Sequence, residues 1–176
     1  SGNYTGTIDI GDTRLAGSSS QHQFVVGLNS QNAVDWAHGF INGHSGTGVS
    51  SSRKSISTNS SGDLALAHYF KHEISIDGET HTSKGASDTL VAQFSEEGSL
   101  KWSQSYGGPQ EEWGTLVATD SNHNVYTAGN SNRTFFIDNT EIPNIGSSSI
   151  FLTKNSYCFL IINFQTIVKL NLININ

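Results

Sequence analysis

Several residue types are scarce in this chain of 176 residues, and each scarcity excludes a class of protein. Cys158 is the only cysteine, so neither an intrachain disulfide nor a zinc site built from several thiolates can form. Nine Lys and Arg stand against fifteen Asp and Glu, a net charge of −6, so a basic surface for nucleic acid is not expected. Hydrophobic residues make up 35% of the chain, which is enough for a buried core and too little for a membrane protein. No membrane span is expected.

Methionine is absent, and the first residues are rich in Gly and Thr. They lack the basic region and the apolar stretch that a secretion signal would show. We therefore expect the chain to be a processed product or a fragment of a longer protein.

The chain contains an internal repeat. Residues 24–36, FVVGLNSQNAVDW, align with residues 90–102, LVAQFSEEGSLKW, and this places Trp36 and Trp102 in equivalent positions. Further blocks keep the same order and spacing, because 58–67 matches 119–128 and the Ile74–Ile76 block recurs at 8–10 and 135–137. The predicted organisation is the end of one unit, two complete units and the start of a fourth, at 1–23, 24–89, 90–150 and 151–176.

Each unit consists of short β-prone runs separated by Gly, Asn and Ser turns, about four strands in all. The alternate positions from Leu64 to Ile76 hold Leu, Leu, His, Phe, His, Ile and Ile, which places one class of residue on one face and predicts a long strand, with or without a bend. No amphipathic helix is evident. The predicted fold is all-β, a partial β-propeller with two complete and two partial four-stranded antiparallel blades. A β-solenoid or a tandem array of sandwiches is the alternative.

Roughly residues 1–155 resemble the β-propeller repeats often called SBBP repeats, which occur in large bacterial surface and secreted proteins, and residues 85–140 match nearly every step of the pattern. The positions that carry the resemblance are Asp88, Gly98, Trp102, Gly107, Gly108, Asp120, Asn124 and Gly129. The first unit diverges, with His22 in place of Asp88 and His68 in place of Gly129. The resemblance implies a non-catalytic repeat module at an extracellular or cell-surface location.

The last 21 residues, from Ser156 onwards, depart from the repeat and contain no Gly, Pro, Asp or Glu. The alternation of Val168, Leu170 and Leu172 with polar residues is compatible with a closing strand. A frameshift or read-through into AT-rich sequence explains the composition equally well.

Two groups of residues are candidate sites. Asp120, Asn122 and Asn124 have the D-x-N-x-N spacing of the first half of a calcium loop, but the following Gly and the distal Glu are missing, so we favour a plain turn. Glu111, Glu112 and Trp113 follow the Gly-Gly loop and could form a binding surface, since an aromatic side chain beside carboxylates suits a sugar or a peptide.

Other patterns are interpreted as structural. His68 and His72 would lie about 13 Å apart on a strand, too far to share a metal ion. Glu96 and Glu97 are expected in a hairpin turn as solvated charges, and residues 43–48 in a flexible loop. Trp36 and Trp102 are interpreted as packing anchors because both units keep them at one strand position.

The leading hypothesis for function is a non-catalytic repeat module, without a cofactor, that serves as a scaffold or as an interaction surface for a protein or a glycan. The first alternative is part of a propeller hydrolase or lyase whose active site lies in blades outside this chain. The second is a calcium-dependent adhesion or carbohydrate-binding module. Because two complete blades between two partial ones leave apolar faces uncovered, self-association or poor stability is expected.

Overall fold

The computed structural model describes residues 1–42, 54–110, 112–131, 133–137, 140–143, 149–154 and 157–163, with only the backbone at 42, 54, 113–115, 149 and 157–163. These residues form β-strands and no helix, and every pair of neighbouring strands is antiparallel. The strands are β1 Gly2–Thr5, β2 Ile8–Ile10, β3 Thr13–Leu15, β4 Gln21–Leu28, β5 Val34–Asn42, β6 Lys54–Thr58, β7 Leu64–Phe70, β8 Glu73–Ile76, β9 Glu79–Thr82, β10 Asp88–Phe94, β11 Leu100–Gly107, β12 Trp113–Thr119, β13 Val125–Ser131, β14 Phe135–Ile137, β15 Thr140–Ile142, β16 Ser149–Lys154 and β17 Tyr157–Asn163.

The strands form three larger sheets and one isolated hairpin. Sheet 1 has the order β1-β4-β5-β8-β9, sheet 2 has β15-β14-β11-β10-β7-β6, and sheet 3 has β12-β13-β16-β17, while β2 and β3 pair only with each other. Consecutive hairpins alternate between neighbouring sheets. For example, β8–β9 belongs to sheet 1 although it lies between two hairpins of sheet 2.

The composition of β7 and β10 explains why they lie at the centre of sheet 2. Apolar residues occupy successive positions in both strands, and every residue of both is buried. Such strands need cover on both faces, so they pair with each other inside a stack of sheets rather than at an exposed edge. Leu66 packs into the core between sheets 1 and 2, and its neighbour Ala67 packs into the core between sheets 2 and 3.

The run from Leu64 to Ile76 forms two strands that belong to different sheets rather than one long strand, and His72 is exposed between them. Leu64, Phe70, Ile74 and Ile76 belong to one buried cluster, although β7 ends before β8 begins. The chain turns at His72, whose φ of 60° lies in the left-handed region.

The repeat is visible in the strand register. The residue equivalent to His68 in β7 is Gly2 in β1 and Gly129 in β13. The three cross-strand pairs are Gly2 with Phe24, His68 with Leu90, and Gly129 with Phe151. A glycine therefore faces phenylalanine in two copies, and histidine faces the shorter leucine in the third.

The predicted all-β class is confirmed, but the strands of one unit do not form one sheet. Unit 24–89 contributes β4–β5 and β8–β9 to sheet 1 and β6–β7 to sheet 2, and β10 begins two residues before the predicted boundary at 89/90. The more specific prediction, a partial β-propeller with four-stranded blades, stays a prediction. No sheet closes on itself within the described ranges, and no solenoid coil is present there.

Candidate functional site

Four hairpin turns with the same geometry lie at one end of the stacked sheets. In each, the backbone N–H of the first residue donates to the carbonyl of the residue four positions later, and the fourth residue has a positive φ. The turns, which we call the hairpin rim, span residues 29–33, 59–63, 95–99 and 120–124. Asn29, Asn59, Ser95 and Asp120 each begin a turn and accept at least one backbone N–H through a side-chain oxygen.

Side-chain contacts join the turns of different sheets into a row. The indole N–H of Trp36 donates to the carbonyl of Glu96 at 2.8 Å, which links sheet 1 to the turn between β10 and β11. The Nδ2 atom of Asn59 lies 3.0 Å from Nδ1 of His123, which links sheet 2 to sheet 3. The rim is therefore one surface built from all three sheets.

A groove of about 490 Å³ opens on the rim between sheets 1 and 2. The residues that line it include Asp35, Glu96, Trp36 and Leu28, and Leu28 is 57% exposed. Acidic acceptors beside apolar surface can hold hydroxyl, amide or cationic groups of a ligand.

Trp36 supports the groove from below. Its ring lies between Gly27 and Gly98, where a Cβ at either glycine would overlap the indole, and it stacks on Phe94 with a centroid distance of 5.7 Å. Both ring faces are thus occupied by protein, as expected for a packing anchor. Trp102 differs, because its indole donates at 2.8 Å to Gln93, the residue that replaces Gly27 in the second unit.

A buried carboxylate, Asp63, organises the rim between sheets 2 and 3. Its Oδ2 atom accepts from Nζ of Lys101 at 2.9 Å and from Nδ2 of Asn59 at 3.1 Å, and it lies 3.2 Å from Nδ1 of His123. Burial alone would raise the pKa of Asp63, but these hydrogen bonds and the Lys101 charge hold it below its ordinary value. The sequence reasoning missed this cluster. The alignment of 58–67 with 119–128 was the available signal, because it makes the two turns equivalent.

The calcium candidate forms a plain turn. The Oδ1 atom of Asp120 accepts the N–H groups of Asn122 and Asn124, and Oδ2 accepts from Nδ2 of Asn124 and the hydroxyl of Tyr126. The hydrogen bond from the Asn124 side chain is the largest cause of the low pKa of Asp120, about 2. Both carboxylate oxygens are engaged by the chain itself. In the part of the chain that the structure describes, no group of three or more His, Cys, Asp or Glu residues is arranged to hold a metal ion.

The predicted binding surface at Glu111, Glu112 and Trp113 is wrong for Glu112. Its side chain is buried, and Oε2 accepts the backbone N–H of Gly108 at 2.8 Å, so the carboxylate supports the Gly107–Gly108 loop from inside. Glu111 lies outside the described residues, and Trp113 is described only as the backbone start of β12. Two further predictions concern residues outside the described ranges: 43–48, and the alternation of Val168, Leu170 and Leu172. Cys158 lies on β17. Glu96 and Glu97 lie in the hairpin turn that the sequence predicts for them.

The repeat positions at Asp88 and His22 share a structural role. Oδ2 of Asp88 accepts the N–H of Lys84 at 3.1 Å, and Nε2 of His22 accepts the N–H of Ser18 at 2.7 Å. Both side chains are buried and both bind a backbone N–H four residues earlier. Burial raises the pKa of Asp88 to about 6, although hydrogen bonds from the Lys84 N–H and the Ser83 side chain and the charge of Lys84 act in the opposite direction.

We expect Asp88→Asn to stabilise the protein at pH 8 and to leave stability near pH 4 almost unchanged. Because the pKa of the folded-state carboxyl is raised from 3.8 to about 6, the folded form binds the proton more tightly, and the stability this gives is lost as the pH rises through 6. The difference corresponds to on the order of 3 kcal/mol at pH 8. Urea unfolding of both proteins at the two pH values measures it. Asp63 and Asp120, whose pKa values are lowered, also make stability depend on pH. Both are present in both proteins, so their contributions to the free energy of unfolding cancel in the comparison. An equal difference between the proteins at both pH values would contradict the prediction.

A comparison with models of known protein families and with curated protein sequences gives no match. Within the described residues, no helix is long and apolar enough to cross a bilayer. The resemblance to SBBP repeats therefore stays a prediction from the sequence.

Proposed function

We propose that this chain is a non-catalytic module of β-propeller type that serves as a scaffold and presents an interaction surface on its hairpin rim. The observation that carries the proposal is the groove between sheets 1 and 2, set on turns of one repeated geometry. The stack of sheets supplies the rigid base, and the exposed turn residues supply the variable contacts. Stacked antiparallel sheets of repeated register support the propeller architecture.

The proposed ligand is a protein or a glycan, bound in an extracytoplasmic location as part of a larger protein. Asp35 and Glu96 would accept hydrogen bonds from hydroxyl or amide groups, while Leu28 offers apolar contact. The indole N–H of Trp36 is used by the carbonyl of Glu96, so Trp36 contributes its ring edge and the placement of that turn rather than a polar contact.

Binding to glycan and peptide arrays tests the proposal with two neighbouring variants. Glu96 lines the groove, and Glu97, the next residue, is exposed outside it, so Glu97→Gln is a matched control. We expect Glu96→Gln to weaken binding of any ligand identified on the arrays by about tenfold, through loss of a charge-assisted hydrogen bond. Glu97→Gln should change it less than about twofold. Equal effects of the two variants would place the binding surface elsewhere.

A further inference from the structure

Two equivalent segments lead into long strands at the end of the sheets opposite the hairpin rim. Residues 16–20 lead into β4 of sheet 1 and residues 83–87 lead into β10 of sheet 2, and we call them the first and the second strap. Most residues of both straps are exposed, yet each strap donates a backbone N–H to a buried side chain, the first to His22 and the second to Asp88. Short exposed segments of this kind can open without unfolding of the strands that they precede.

The first strap is held by the neutral form of His22. The N–H of Ser18 donates to Nε2 of His22 at 2.7 Å, and a ring nitrogen accepts a hydrogen bond only while it carries no proton. The ring is fully buried, and burial lowers its pKa. The strap places Gly17 against the ring, β1 places Tyr4 there, whose pKa burial raises, and β5 continues past it with the apolar Ile41. Protonation at Nε2 would remove the Ser18 hydrogen bond and place a charge in the core.

The second strap is held by the neutral form of Asp88. The Oδ2 atom of Asp88 accepts the N–H of Lys84 at 3.1 Å, whereas Oδ1 is buried and has no hydrogen-bond partner in the described part of the chain. An ionised carboxylate would leave a charged oxygen buried without a donor, which costs more free energy than burying the neutral group. Opening of the strap would admit water to this oxygen. Loss of the proton therefore favours the open strap.

The charged groups around Asp88 do not reverse this effect. Its cross-strand neighbour in β7 is Phe70, and in β11 the backbone of Gly107 lies against the carboxylate. The titratable groups on the surrounding elements are Lys84 of the strap, Lys71 and His72 after β7, and Glu112 beside the Gly-Gly loop. Burial raises the pKa of Asp88 to about 6 and so outweighs the opposing effects of Lys84 and of the Ser83 hydroxyl.

We infer that the two straps form a pair of opposed pH latches, in which the second strap opens more often as the pH rises and the first opens more often as the pH falls. Other hydrogen bonds keep each strap mainly closed, from the Gly6 N–H to the Ser18 carbonyl in the first and from the Ser83 N–H to the His72 carbonyl in the second. The inference goes beyond the proposed function and is independent of it, because the straps lie at the end of the sheets opposite the groove.

The direction of each response follows from the difference in pKa between the open and the closed strap. The pKa of Asp88 is raised from 3.8 to about 6 in the closed form, so its hold on the strap is complete below pH 3.8 and is lost as the pH rises through 6. The pKa of His22 is lowered from 6.5, so its hold is complete above pH 6.5 and is lost as the pH falls through the lowered value. One change of pH therefore acts on the two straps in opposite directions.

Hydrogen exchange of two backbone amides, measured by NMR between about pH 4.5 and 8 and corrected for the intrinsic exchange rate, tests the inference. The protection of the Lys84 N–H should fall at least about tenfold between about pH 5 and 8, since a rise in pKa of this size allows a change of up to about a hundredfold. The protection of the Ser18 N–H should rise at least about threefold between about pH 4.5 and 7. At each pH the Lys84 amide should exchange faster than the amides of β10, because the strap opens without the strand.

The variant Asp88→Asn shows which group drives the response. It keeps an oxygen for the Lys84 N–H but cannot ionise, so the pH dependence of the Lys84 amide should disappear while that of Ser18 remains. Asp77→Asn is the matched control, because Asp77 is exposed in the turn between β8 and β9, and it should leave both profiles unchanged. Protection that changes in the same direction at both amides, or at neither, would overturn the inference. Exchange of Lys84 at the rate of the β10 amides would overturn it too, because the whole sheet would then open at once.

Discussion

Gly107→Ala is expected to destabilise the protein by on the order of 3 kcal/mol, because a methyl group at this position has no space. A Cβ on Gly107 would overlap the carboxylate of Asp88, which is buried and held by the backbone N–H of Lys84. The next residue, Gly108, is bound by Glu112, and Gly107 itself pairs with Phe136 of β14, so the strand cannot move away cheaply. Urea unfolding at pH 7 measures the loss.

The preceding unit shows that the restriction comes from Asp88. Ile41 occupies the position equivalent to Gly107, and its side chain is accommodated with 46% exposure. There the equivalent of Asp88 is His22, whose ring packs against the ring of Tyr4 at a centroid distance of 5.3 Å. Asp88→Ala should therefore recover much of the stability lost in Gly107→Ala. If the double variant is no more stable than the sum of the single changes predicts, the strain lies elsewhere.

Local pattern predicted the strands well, because the information that decides them is local. The structure contains strands within the run from Leu64 to Ile76, the turns at 95–99 and 120–124, and Trp36 and Trp102 at equivalent strand positions. The pairing of β7 with β10 could not be predicted in the same way. These strands are separated by the hairpin β8–β9, and the choice of partner depends on which surfaces the stacked sheets can cover.

The candidate site could not be predicted for the same reason, because it depends on contacts between strands that are distant in the sequence. Glu112 follows a Gly-Gly loop and has no local signal of burial, yet its carboxylate is enclosed because β14 pairs with β11 beside that loop. The groove arises only because turns from different sheets meet, so Asp35 and Glu96 become neighbours of one cavity across some sixty positions of sequence. The pattern of residues within each strand does not show which turns of different sheets come into contact.

Leu90→Phe and His68→Gly are each expected to be strongly destabilising, and together they should compensate each other. The two residues are cross-strand neighbours, and both are buried in the core of sheet 2. Leu90→Phe places a ring where the imidazole lies, at a cost of about 2 to 3 kcal/mol. His68→Gly leaves a cavity and adds backbone freedom within a strand, at a cost of about 2 to 4 kcal/mol.

The double variant recreates a pair that the chain uses twice. Gly2 faces Phe24, and a Cβ on Gly2 would lie 2.5 Å from that ring, so the ring rests directly over the glycine; Gly129 faces Phe151 in the same register. The new ring at position 90 should fill the space left by the imidazole. We expect a coupling of at least about 1.5 kcal/mol in the double-mutant cycle, measured by urea unfolding of the four proteins. Additive losses would mean that the exchange of glycine for histidine at this repeat position is independent of the residue that faces it.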